Sequence, residues 1–267
     1  MNGLEQLVVK AVKGDKKSLE KIVLQIQDTV YNLAIRMLWH PEDAKDATQD
    51  ILIRIITNLS SFNHKSAFKT WVYRLSCNAL LNFKKKKFLN AISFEEYELQ
   101  LGKGLNNTIE YTTNIAEQKL LIQEAKIGCS NAMLQCLSSD NRLIYILGEI
   151  LEFTGKEAAF VLGITPENFR KKLSRTRKNL HHFLTNNCGL VNTKNTCRCY
   201  KKVDDAIQNN RIDPNNLLFS KNIKNIQLMQ EIEQFRDEVS LYQSNPEYNT
   251  PEILLKEVRR IVTAIQK

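Results

Sequence analysis

Apolar residues return along most of this chain at steps of three and four, the spacing that lays one face of an α-helix against a core. A short helix is predicted from about Leu4, broken at Gly14 and Asp15. In the next, Asp15 supplies the N-cap, and Leu19, Ile22, Val23, Ile26, Val30, Leu33 and Ala34 form one stripe. Pro41 ends that helix and opens another, in which Ala44, Ala47, Ile51, Ile55 and Leu59 face inward while Asp43, Asp46 and Asp50 share a different face. After a turn over 60–66, a fourth helix directs Phe68, Val72, Leu75 and Ala79 inward. Trp71 and Phe83 lie at its margins, with Lys69, Tyr73, Cys77 and Lys84 opposite the core face. These helices make a first domain of residues 1–90.

The pattern weakens over 91–128, where Gly102, Gly104 and Asn106-Asn107-Thr108 separate two weakly helical stretches, so this segment reads as a linker. Ser93 and Glu96 have the spacing of a capping box within it. A second helical domain spans 129–185. Asp140 is placed to cap a helix over 141–153, Thr154 and Glu157 form a capping box, and Thr165 before Pro166 caps a third helix after Gly163. Three short helices with a glycine turn between the last two make a helix-turn-helix. Residues 186–267 form an extension with a cysteine-bearing segment and two helices. One covers about 216–242, with Ile223, Ile226, Met229, Ile232, Phe235 and Val239 at helical spacing; Pro251 starts the other. The fold class is all-α.

Charge sharpens this picture. The 267 residues carry 38 basic and 29 acidic side chains, but residues 200–267 hold ten of each, so the whole excess of +9 lies in the first three quarters. That points to a polyanion partner. Two basic footprints stand out. Residues 68–88 contain Lys69, Arg74 and Lys84 to Lys87 without an acid, and 166–181 set six basic residues against Glu167 alone. No apolar run approaches the ~18 residues of a membrane span, and Lys10 and Lys13 interrupt the only candidate leader, so the chain is expected to stay in the cytoplasm.

In the helix after Pro166, the 100° step sets Phe169, Leu173 and Leu180 on one side and Asn168, Lys171, Arg175 and Lys178 on the other. Such a helix enters the major groove, where Arg and Lys donate to guanine edges or phosphates and Asn pairs with adenine. Arg170, Lys172 and Arg177 would flank it on the DNA backbone. The Phe68 helix mixes cations with aromatic rings, a mixture suited to unpaired bases and their phosphates. Asp43, Asp46, Gln49 and Asp50 suit a protein-docking surface better than a metal or catalytic site. No nucleophile with its base, and no metal cluster beside the basic surfaces, marks an enzyme. His182, Cys188, Cys197 and Cys199 could supply four zinc ligands, although their spacing matches no standard finger; otherwise no cofactor is expected. Cys77, Cys129 and Cys136 sit in helical patterns and read as packing residues.

The stretch YNLAIRMLWHPEDAKDATQDILIRIITNLSSFNHKSAFKTWVYRLSCNALLNFKKKK, residues 31–87, resembles sigma region 2, and RLIYILGEILEFTGKEAAFVLGITPENFRKKLSRTRKNL, residues 142–180, resembles sigma region 4. Together they resemble a sigma-70 family factor of the extracytoplasmic-function type. The resemblance implies a core RNA polymerase partner, whose β′ clamp helices would contact Asp43, Asp46, Gln49 and Asp50. It implies capture of flipped −10 bases by Phe62, Asn63, His64, Lys69, Trp71, Tyr73, Arg74 and Asn78. It implies −35 reading by the helix after Pro166, a linker threaded along the polymerase, and an anti-sigma factor as a further partner. The competing reading is a stand-alone helix-turn-helix regulator that needs no polymerase. The tail exceeds the minimal family plan, and CGLVNTKNTCRC resembles an extension found after region 4 in some members.

Overall fold

The computed structural model describes residues 3–87, 92–219 and 238–252, with 254, 256, 258 and 260. Its helices are α1 (Gly3–Val12), α2 (Lys16–Leu38), α3 (Pro41–Thr57), α4 (Phe68–Lys87), α5 (Phe94–Leu101) and α6 (Ile115–Gln135). There follow α7 (Ser139–Tyr145), α8 (Gly155–Leu162), α9 (Pro166–Asn187), α10 (Val203–Gln208) and α11 (Glu238–Gln243). The tail positions Ile223, Ile226, Met229, Ile232 and Phe235, and the side chains of Lys84 to Lys87, lie outside the described residues.

The chain forms two compact units: Met1–Leu89 with Phe153–Phe169 and Tyr248–Lys267, and Asn90–Glu152 with Arg170–Glu247. In the first, α2 begins where the Asp15 carboxylate accepts from the Lys17 N–H at 3.3 Å, and α3 begins at Pro41, whose missing N–H costs nothing in the first turn. The apolar stripes of both helices are buried and pack together with α4, so each expected inward residue from Leu19 to Ala79 is inside except the half-buried Leu75. The chain end belongs to this unit. Asn32 of α2 donates to the Tyr248 carbonyl at 2.8 Å and accepts from the Tyr248 N–H at 2.9 Å, while Asp28 accepts from the N–H and hydroxyl of Thr250.

The second unit departs from the sequence reading in two places. Helix α6 starts at Ile115, capped by Asn114, and runs through the position where the second helical domain was expected to begin. Helix α7 is capped by Ser138 rather than Asp140, which falls in its first turn, and after Tyr145 it loosens into a π turn over Ile146–Ile150. Ser138 prevails because its hydroxyl accepts from Asn141 N, so the helix starts two residues early. Arg142 on α7 is fully buried and donates to the carbonyls of Leu134, Gln135 and Leu137, closing the C-terminus of α6.

The linker is gripped by the tail. Val203, Ala206 and Ile212 share a core with Leu121 and Ala125, against which Ile109 also packs. The buried carboxylate of Asp204 accepts from the backbone N–H groups of Glu110 and Tyr111 and from the Asn106 amide. Lys201 accepts at its carbonyl from Asn106 N, and the Lys202 ammonium donates to the carbonyls of Gln100 and Lys103. Helix α5 carries the expected Ser93–Glu96 capping box. Asp204→Ala removes the charged acceptor of the Glu110 and Tyr111 N–H groups and should cost ~2 kcal/mol of stability. Denaturant unfolding measures that loss, and protease cleavage should rise first within residues 102–114.

Candidate nucleic-acid interface

The helix-turn-helix is built by local chemistry. Thr154 and Glu157 make both bonds of the capping box at the start of α8, with Glu157 N to Thr154 Oγ1 at 3.3 Å and Thr154 N to Glu157 Oε2 at 3.0 Å. The helix stops at Gly163, whose φ of +67° only a residue without Cβ adopts freely. Thr165 Oγ1 then accepts from Asn168 N at 3.2 Å, and Pro166 opens α9. Phe169 and Leu180 are buried, whereas Asn168, Arg170, Lys171, Arg175 and Lys178 are exposed and Lys172 is half-buried. Arg177 is partly committed elsewhere, since its guanidinium is paired with the carboxylate of Glu149 on the π turn. It anchors the helix while the other cations face outward.

At the start of α4, two rings of the helix and two of the preceding loop form a cluster. Phe62 and Phe68 are buried and meet edge to face at 5.2 Å; Trp71 lies over Phe68 at 5.5 Å with the planes 26° apart, and His64 rests on Phe62 at 4.5 Å. The two phenylalanines are thus the floor, and half-buried Trp71 and exposed His64 are the surface. Asn63, Lys69 and Asn78 are exposed as well. Tyr73 and Cys77, expected opposite the core face, are buried instead. For Tyr73 the cause is the segment that enters α8, which packs on α4 within the first unit: Phe153 meets Tyr73 edge-on at 4.8 Å, and the Arg74 guanidinium sits 4.9 Å from the centre of the Phe160 ring. The sequence gives each helix an amphipathic face but no sign that these two faces meet.

On α3, Asp46 and Asp50 are exposed and Asp43 and Gln49 half-buried. Beside them a groove of about 190 Å³ runs between α3 and α4, lined by Ala47, Asp50, Ile51, Arg54, Ala79, Asn82 and Phe83. Of the four α3 residues only Asp50 lines the groove. Of the expected metal ligands, His182 is exposed with its ring nitrogen 3.2 Å from the Asn186 amide, and Cys188, Cys197 and Cys199 are half-buried. Among the described residues no three His, Cys, Asp or Glu side chains stand at the spacing of a bound metal ion. No described helix is long and apolar enough to cross a membrane.

The two surfaces coincide with two family regions. Residues 22–87 match the model of sigma-70 region 2, and 131–180 match sigma-70 region 4. Both are regions of the sigma-70 family. The chain is 25% identical to the RNA polymerase sigma factor YlaC of Bacillus subtilis, over 64% of this chain and 94% of that one. It is 26% identical to the ECF sigma factor SigW of the same organism, over 66% of this chain and 96% of SigW, and 26% identical to the ECF sigma-E factor of Escherichia coli, over 64% and 89%. A solved structure of the sigma factor RpoE with the anti-sigma factor NepR from Bartonella quintana is 20% identical, covering 63% of this chain and 98% of its own, with a TM-score of 0.44. These relatives are sigma factors, not enzymes. The linker from 88 to 130 and everything after 180 fall outside both region matches.

The capping box also sets a pH dependence at the entrance to the helix-turn-helix. The Thr154 hydroxyl and N–H hold the Glu157 carboxyl below its ordinary value. A carboxylate shifted down in the folded state stabilises above its unfolded pKa, and the effect is lost as pH falls through the folded one. Melting temperatures of the wild type and Glu157→Gln should therefore differ at neutral pH and converge in acid.

Proposed function

We infer that this protein is a sigma factor that joins core RNA polymerase, directs it to promoters through −10 and −35 elements, and stabilises the opened strand. One observation carries the reading. A ring cluster on a basic helix and a capped helix-turn-helix with an outward basic face occur in one chain, in the order and within the limits of regions 2 and 4. The first suits bases lifted from the stack, with His64 and Trp71 displayed on a floor of Phe62 and Phe68 and with Asn63, Lys69 and Asn78 around them. The second suits duplex DNA, with Asn168, Lys171, Arg175 and Lys178 toward base edges and Arg170 and Lys172 toward phosphates. Arg177 is better suited to hold α9 through Glu149 than to reach for DNA.

Asp43, Asp46, Gln49 and Asp50, beside the α3–α4 groove, are the residues we assign to the polymerase clamp. Tyr73 and Arg74 face α8 in the closed arrangement, so their part in base capture requires that α8 leave α4. Catalysis rests with the polymerase, which places the protein's action in the cytoplasm.

In vitro transcription with bacterial core polymerase on fragments of the source genome tests the whole reading. New start sites that require the protein are the expected result; promoter-specific binding by the protein alone, with no capture of core enzyme, would leave the stand-alone regulator instead. The Lys171→Ala, Arg175→Ala double variant should lower initiation at −35-dependent promoters at least tenfold, at ~1 to 3 kcal/mol for each lost base contact. Its binding to core polymerase in pull-down should equal that of the wild type.

A further inference from the structure

A tether reaches only as far as its unfolded part allows, at most ~3.6 Å for each residue. Between the end of α4 at Lys87 and the start of α6 at Ile115 the chain takes twenty-eight steps, enough for ~100 Å. Much of that length is folded away in the second unit. Helix α5 is fastened by its rings: the Tyr97 hydroxyl donates to the Cys129 carbonyl at 3.3 Å, and Phe94 meets Phe183 of α9 at 5.0 Å between ring centres. Beyond α5, residues 102–114 have neither helix nor strand, and the tail holds them instead.

The grip runs from Gln100 to Tyr111. Lys202 donates to the carbonyls of Gln100 and Lys103, the Lys201 carbonyl accepts from Asn106 N at 2.9 Å, and Asp204 accepts from Glu110 N at 3.0 Å and Tyr111 N at 3.3 Å. Ile109 packs into the core that Val203, Ala206 and Ile212 share with α6. The approach is closest at Gly104, whose φ is +61° and where a Cβ would overlap the Asp205 carboxylate. That carboxylate is itself fixed by Lys202 and Arg211. Most of what the tail takes hold of is backbone. Once let go, those N–H and C=O groups return to water and the segment becomes flexible chain.

We propose that the tail residues from Lys201 to Ile212 are a holder that keeps the linker folded and the tether short, and that core polymerase competes with this holder for the linker. The proposal rests on the sigma-factor reading, in which the linker extends along the polymerase. Its magnitude follows from the chain. While the tail holds Gln100, the tether ahead of it has thirteen steps, at most ~47 Å even with α5 peeled away. At ~3.4 Å per base pair, −10 and −35 elements lie ~85 Å apart along a duplex. The released tether spans that distance by itself, and the held one does not. Docking of both DNA-reading regions on a promoter therefore favours the released form.

Hydrogen exchange read by mass spectrometry on the full chain, with and without saturating core polymerase, tests the holder. In the free protein the peptide 102–114 should exchange slowly, since the Asn106, Glu110 and Tyr111 amides are bonded. In the complex it should exchange at least ~tenfold faster, as open chain does. Fast exchange in the free wild type overturns the holder; slow exchange in the complex overturns the competition and leaves the tail a fixed part of the fold. Failure to capture core at all is a failure of the sigma-factor reading, seen in pull-down before any exchange, and it removes polymerase as the competitor while the free chain still judges the holder. Gly104 lies on no surface assigned to DNA or polymerase. Gly104→Ala should speed exchange of the peptide in the free chain and tighten core binding, because the apparent dissociation constant falls as the released fraction rises. Faster exchange with unchanged core affinity also overturns the proposal.

Discussion

Helix termini and irregular backbone, once buried, leave N–H and C=O groups that no helix can satisfy, and in this chain a few buried polar side chains answer for them. Arg142 takes three carbonyls at the end of α6. Glu124, 3% exposed, accepts from the backbone N–H groups of Leu218 and Phe219 at 2.7 and 3.0 Å. Asp204 does the same for Glu110 and Tyr111, and Asn32 for Tyr248. In every case but Arg142 the partners are roughly a hundred or more residues apart. Long-range order in the tail therefore depends on single side chains whose removal leaves buried donors or acceptors orphaned.

This arrangement gives the extension a structural meaning. Its middle part, from Cys199 to Phe219, belongs to the core of the linker and α6, and Tyr242 of α11 packs edge-on against Tyr145 of α7 at 5.4 Å, both rings buried. Gln243 and Asn245 add bonds to Glu149 O and Ser130 Oγ. The tail is thus built into the second unit, and its last residues into the first. A linker held in this way is already folded before any polymerase meets it.

Much of this was legible in the sequence. Asp15, Pro41, Ser93, Thr154, Gly163 and Thr165 announce their elements because caps and turns are local chemistry. The stripe from Leu19 to Ala34 and the basic face of α9 follow from periodicity alone. Asp204 gave no signal, since its partners are backbone amides that any residue carries. Nor did Tyr97, whose hydroxyl donates to the Cys129 sulfur and carbonyl thirty-two residues on. Tyr73 misled for the opposite reason: the face it shares with Cys77 is polar enough to seem open, and what covers it comes from eighty residues downstream.

The packing of α8 on α4 turns geometry into a matter of populations. While Phe153 and Phe160 lie against Tyr73 and Arg74, the faces they cover are closed to any other ring. A strand that needs them binds only the open fraction of molecules, so its apparent dissociation constant is the intrinsic one divided by that fraction. If about one molecule in a hundred were open, affinity would fall about a hundredfold with no contact to the strand altered. Substitutions at Phe153 or Phe160 would thus change the open fraction, and with it any binding that draws on Tyr73 and Arg74, without altering either residue.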